Sequence, residues 1–252
     1  MKLLSHSTDI EIQHELAEDH NEEHHSLMEH INLLIKAPVA TFIANAFLWN
    51  IGGAVTSVIT YTYCQENDYS ETDASLVMTV YGIGSFIGSL LLTIGSWWSN
   101  HTKKHINRYY FHSFCNLIMV ISTFIIPFVI KSKIGVNVSI FFLGAGYGAL
   151  CANLGSVIEH LNGSHLLYLV YGYEMAAAGV ASLIGPVAGA QLEKHAGSGT
   201  SFYFAGACML GAFILYVVYA LVYRPILTPY SDRHKTPVST NGQLPNGGES
   251  KL

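Results

Sequence analysis

The stretch "YGYEMAAAGVASLIGPVAGAQ", Tyr171 to Gln191, holds one carboxylate, Glu174, in an otherwise apolar run crowded with Ala and Gly. What such a segment means depends on its solvent. Lipid tails are as apolar as Leu, so burying Leu drives no association between helices in a bilayer, whereas small side chains let two backbones approach closely. Ala177, Ala181, Gly185 and Gly189 recur every four residues and form one small stripe up a helix. Glu174 lies three and seven residues before Ala177 and Ala181, which at 3.6 residues per turn sets it on the same face. It therefore points into a helix bundle, where an intramembrane carboxylate can be satisfied. Pro186 allows a kink in this helix.

The rest of the chain supports lipid as the solvent. Half of the 252 residues are hydrophobic, only 12% are charged, and the mean hydropathy is +0.34. Soluble domains run at about 25% charged. Six apolar runs follow one another: Pro38–Tyr61, Leu76–Trp97, Tyr109–Ile130, Val138–Val157, Leu166–Ala190 and Ser201–Val222. Each holds about 20 residues, which as a helix crosses a hydrocarbon core about 30 Å thick. None alternates with period two, so a membrane barrel is not expected. The fold class read here is an all-α membrane protein of six transmembrane helices. The predicted organisation is a cytoplasmic acidic, His-rich tail over 1–37, a membrane domain over 38–223 and a disordered cytoplasmic tail over 224–252.

The net charge of −5 says little about partners, because eight of the 17 carboxylates fall within the first thirty residues. That segment, "HELAEDHNEEHHSLMEH", contains His24 and His25 beside Glu, but it reads as a solvated linker rather than a metal site. Cys64, Cys115, Cys151 and Cys208 show no paired spacing. No P-loop, HExxH or nucleophile elbow is present, which argues against an enzyme. No cofactor, metal or nucleic-acid partner is expected. The sequons at Asn100, Asn137 and Asn162 are discounted as cytoplasmic or too close to the membrane.

Small-residue pairs recur at Gly84–Gly88 and Gly144–Gly148, and with the stripe at 177–189 they are expected to be helix-packing surfaces. Polar residues within the spans are Asn45, Asn50, His112, Asn116 and Asn153, with Trp49 beside Asn50. An intramembrane Asn commonly bonds a neighbouring helix. His112 is expected at the cytoplasmic interface and Glu159 among headgroups. For Glu174 two readings stay open. It binds a proton or lines a polar path, or it bonds a neighbouring helix or snorkels to the cytoplasmic end.

Three segments carry a family resemblance. "DASLVMTVYGIGSFIGSLLL" (Asp73–Leu92) resembles the eighth helix of monocarboxylate transporters, a family within the major facilitator superfamily. "GVASLIGPVAGAQL" (Gly179–Leu192) resembles their eleventh helix, and "SFYFAGACMLGA" (Ser201–Ala212) the start of their twelfth. The match runs in order from about Pro38 to Tyr223. It implies the C-terminal six-helix half of a twelve-helix carrier for lactate, pyruvate or other small organic solutes, often by proton symport. The missing N-terminal half, or another membrane protein, would be the partner alongside the lipid bilayer, and the plasma membrane the expected location. The sequence departs from the family at two places. Where many members have a Gly-Arg pair, this chain has Gly88-Ser89, and the acidic position four residues before that arginine is Ser85. On this reading the substrate path comprises Glu174, Asn45, Asn50, Asn153, Ser85 and Ser89. A lone half is expected to be inactive. The rival readings are a non-transporting membrane protein that pairs with others, and a self-assembling six-helix channel.

Orientation follows from basic residues. With six spans both ends share one side, which holds nine of the Lys and Arg residues, while the other side holds Lys131, Lys133 and Lys194. The positive-inside rule places both termini in the cytoplasm. The loop containing Lys103 and Lys104 is then cytoplasmic, and the acidic loop containing Asp68 and Asp73 is external. In a Cys-free background, an impermeant thiol reagent added outside should label a cysteine at 68 and not one at 103. The reverse labelling contradicts this orientation.

Overall fold

Each long apolar run becomes a helix, because a spanning segment must satisfy its backbone polar groups internally. The computed structural model describes residues 34–102 and 107–222. The tail up to residue 33, with His24 and His25, the basic pair Lys103 and Lys104, and the C-terminal tail over 224–252 lie outside the described residues. The helices are α1 (Ala37–Glu66), α2 (Glu71–Thr102), α3 (Arg108–Val129), α4 (Lys133–Asn162), α5 (Leu167–Ala196) and α6 (Thr200–Val222), with a 3₁₀ turn at Ser164–Leu166 before α5. All six are long and apolar enough to cross a membrane. The fold is an all-α, six-helix membrane domain. Several helices outrun the apolar runs by up to about one turn and a half, because polar residues at their ends remain helical beyond the hydrocarbon.

The helix starts have local causes. Asn107 accepts from the Tyr109 and Tyr110 amides at the start of α3, and Ser132 accepts from Gly135 at the start of α4. These side chains satisfy amides that have no intrahelical partner. The caps after α4 and α5 are Gly163 and Gly197, both with positive φ, a backbone conformation that favours glycine. Helix α5 runs on through Pro186.

The packing has an internal symmetry. α2 lies mainly along α4, and α1 mainly along α5 and α6; α3 lies along α4 and α6. Exchanging α1–α3 with α4–α6 maps the α2–α4 contact onto α5–α1, and the α3–α4 contact onto α6–α1. The α3–α6 contact maps onto itself. Because each triplet has three spans, the two triplets enter the membrane from opposite sides. This is an inverted repeat.

Glycine sets the closeness of these pairs. A Cβ at Gly84 or Gly88 would collide with the Phe141 or Ala145 carbonyl of α4, and one at Gly144 or Gly148 with the Tyr81 or Ser85 carbonyl of α2. The symmetry-related pair is less tight: a Cβ at Gly185 would lie 2.9 Å from the Ile51 carbonyl oxygen, and one at Gly189 would lie 2.9 Å from Ile59 Cδ1. On α5 the buried residues are Val170, Glu174, Ala181, Gly185 and Gly189, a single stripe, and Ala177 is half-buried on it. At the end of the bundle that holds the α1–α2 and α3–α4 turns, the Tyr69 hydroxyl donates to the Ile130 carbonyl at 2.8 Å, and Lys133 pairs with Asp73. The second contact is exposed, where ion pairs stabilise little.

Ala181 is completely buried, whereas Leu221 is 72% exposed. Ala181→Leu should therefore lower bundle stability by about 1–3 kcal/mol through overpacking, and Leu221→Ala should change it little. Thermal melting in detergent reads this; equal losses would mean that the α1–α5 contact is not close-packed.

Candidate functional site

Two polar groups of residues lie inside the bundle, and their chemistry differs. The first joins α1, α3 and α6. Asn45 donates to the Ala212 carbonyl at 2.8 Å, and its Oδ1 lies 3.3 Å from His112 Nε2. His112 packs on Tyr216 with ring centroids 4.9 Å apart, and Tyr216 stacks on Tyr109 at 4.4 Å. The Tyr109 hydroxyl donates to the Tyr216 carbonyl. His112 is thus fully buried rather than interfacial. It lies only one turn from the start of α3, but the rotation of that helix directs it at α1 and α6. This group ties three helices together by hydrogen bonds and stacked rings.

Asn153 also makes a helix-to-helix bond, donating to the Arg108 carbonyl at 3.0 Å at the first turn of α3. On α2, Ser89 donates to the Ser85 carbonyl at 2.9 Å. A Cβ at Gly148 would meet this same carbonyl. Asn45 and Asn153 are therefore engaged at separate helix contacts and Ser85 and Ser89 with each other at a third, and none of the four bonds Glu174.

The second group is at the junction of α1, α2, α4 and α5. Glu174 has no exposed surface, and among the described residues neither of its carboxylate oxygens is at hydrogen-bond geometry with a donor. It has not snorkelled to the helix end. The Asn50 amide of α1 faces it, but Asn50 Nδ2 donates to the Ala46 carbonyl at 2.8 Å within its own helix. Tyr147 and Cys151, one turn apart on α4, lie within electrostatic reach of the carboxylate. Around Tyr147, the Trp49 ring approaches edge-on with centroids 5.5 Å apart, and the Tyr81 ring of α2 lies at 6.1 Å. Trp49 Nε1 is buried and, among the described residues, has no hydrogen-bond partner. A carboxylate and an indole N–H, both unsatisfied in a low-dielectric interior, are costly to the fold. The first group also leaves His112 Nδ1 and the Tyr216 hydroxyl without a partner among the described residues, but only the second leaves a carboxylate so.

Two of the four helices at the junction are the least covered of the six. Of their most apolar 18 residues, α2 buries 22% and α5 buries 17%, against 61% in α1. Tyr81, Tyr147 and Cys151 are partly exposed on that side. Sequence reasoning missed Tyr147 and Cys151 as neighbours of Glu174, and Tyr81 as a neighbour of Tyr147. The available signal was that both tyrosines lie deep within spans rather than in the interfacial belts that Tyr favours. Among the described residues no group of three or more His, Cys, Asp or Glu side chains could hold a metal ion.

Comparison with known proteins gives the site its context. The family model described as Major Facilitator Superfamily matches residues 39–244. No curated protein sequence matches. The solved structure of the POT family transporter PepTSo, crystallised in meso, is similar with a TM-score of 0.63 at 15% identity. The alignment covers 73% of this chain and 37% of that one. At such identity the likeness shows the fold alone, and the chain spans little more than a third of PepTSo.

The two polar groups predict opposite responses to mutation. Asn45→Leu removes an interhelical bond and should cost about 0.6–2 kcal/mol. Glu174→Gln removes a charge with no bonded partner and should leave the melting temperature unchanged or raised. A large loss of stability in Glu174→Gln would mean that the carboxylate holds the bundle together.

Proposed function

Because the chain belongs to the major facilitator superfamily, we propose that it acts as one six-helix half of a membrane carrier for small organic solutes. The observation that carries this reading is the coincidence of the sparsely covered α2–α5 side with the unsatisfied Glu174 junction. In this superfamily alternating access is the rocking of one six-helix half against another about a midplane site. A second six-helix unit covering α2 and α5 would close a path over Tyr81, Tyr147 and Cys151. The plasma membrane and cytoplasmic termini remain the proposed setting.

The resemblance to monocarboxylate transporters supports an organic-acid solute, but the side chains present here weigh against it. Ser85 and Ser89 stand where proton-coupled members carry their acid and arginine, and no Lys or Arg lies in the apolar centre of any span. A carboxylate entering this low-dielectric path would find no fixed cation and would be repelled by an ionised Glu174. The pairing reading keeps one specific support: a Cβ at Gly82, Gly95, Gly172 or Gly179 would meet nothing within 4 Å. This leaves room for another backbone to approach. A pairing protein and a transporter half both require a partner on this side.

Two measurements test the proposal. This chain alone in proteoliposomes, under an inward proton gradient, should show no saturable uptake of radiolabelled lactate, because one half supplies one wall of the site. Gradient-dependent uptake above empty liposomes contradicts it. In native membranes, Cys151 should react with an impermeant maleimide, because it borders a water-filled path. Cys208, partly exposed on α6, should stay unreactive in lipid. An inert Cys151 contradicts a path along this face.

A further inference from the structure

The junction around Glu174 also specifies a solute class. Its carboxylate is wholly buried, with neither oxygen bonded among the described residues. An unpaired charge cannot be held in such a place; it requires a proton or a cation. The surroundings favour the cation. Three electron-rich rings, Trp49, Tyr81 and Tyr147, come from three different helices, and Tyr147 contacts the other two at centroid distances of 5.5 and 6.1 Å. Ring faces attract an ammonium group, most strongly when it is desolvated. A proton on Glu174 would use neither the rings nor the partial exposure of Tyr81 and Tyr147.

We propose that the α1–α2–α4–α5 junction binds the ammonium group of an organic amine, with Glu174 as its counter-charge and Trp49, Tyr81 and Tyr147 as its aromatic wall. An ammonium carries three N–H donors, enough for both carboxylate oxygens. The Asn50 amide lies beside the carboxylate. The rest of the solute extends past Tyr81, Tyr147 and Cys151, the partly exposed side chains of the junction. This assignment rests on the carrier reading above, for which it names the solute: an amine rather than an acid.

The test is calorimetric titration of the purified full chain in detergent with phenethylammonium chloride, and with 3-phenylpropionate as the anion of matched shape. Phenethylammonium should bind saturably and phenylpropionate should not. Glu174→Gln should weaken ammonium binding by at least about 30-fold, the effect of removing one partner of a buried charge pair, while its melting transition is retained. Tyr81→Leu, at a partly exposed ring, should weaken it several-fold and serves if Glu174→Gln does not fold. Absence of phenethylammonium binding overturns the proposal, as does equal affinity in either folded variant or tighter binding of phenylpropionate. The carrier reading is judged separately, by flux once a second six-helix unit is supplied. Anion uptake without ammonium binding leaves the carrier and removes the amine. Ammonium binding without any uptake leaves the site and removes the carrier.

Discussion

The structure depends on the contact of two helix backbones, α2 and α4, at four glycines. Gly84 and Gly88 lie where any side chain would strike carbonyls of α4, and Gly144 and Gly148 where it would strike carbonyls of α2. In lipid no hydrophobic effect holds helices together, so van der Waals contact at this range is the main attraction available. The consequence spreads through the bundle. Tyr81 and Ser85, which supply the carbonyls under Gly144 and Gly148, are fixed against α4, and Tyr147 next to Gly148 is brought to the Tyr81 ring. The inverted repeat produces a looser counterpart where α5 lies on α1 through Gly185 and Gly189.

The two polar interiors differ in what they contain. The Asn45–His112 group lies between α1, α3 and α6, where stacked rings and an interhelical bond hold it. Both groups leave buried polar atoms without partners among the described residues, but only the Glu174 group leaves a carboxylate so. Such a cost is tolerated where a ligand meets it, and an intramembrane carboxylate commonly marks a solute or ion pathway. On the carrier reading proposed above, α2 and α5, the two least buried helices, are those a second unit would cover.

Most of the fold was legible in the sequence because apolar length is a direct measure of a bilayer. All six runs are helices, and their ends moved only where polar residues extended them. The face of Glu174 on α5 followed from helical spacing, since Val170, Glu174, Ala181 and Gly185 share one buried stripe. The inward direction of His112 was not legible, because a position near a helix end gives its depth and not its rotation. The meeting of Tyr81 and Tyr147 was hidden for another reason. It is set by how α2 and α4 cross, and spacing within one helix does not say which partner it touches. Asn45, Asn153, Ser85 and Ser89 look alike as polar residues in apolar runs, yet Asn45 and Asn153 bond different helices and Ser89 bonds Ser85 within its own.

The most direct test of the glycine contact compares two alanine substitutions on the same helix. At Gly88 a Cβ meets the backbone of Ala145, and at Gly95 it meets nothing within 4 Å. In detergent, Gly88→Ala should lower bundle stability by about 1–3 kcal/mol, because backbone cannot move aside. Gly95→Ala should leave it unchanged or raise it by up to about 1 kcal/mol through helix propensity. Equal melting temperatures for the two variants would contradict the account, because α2 and α4 would then not be held together by backbone contact at their glycines.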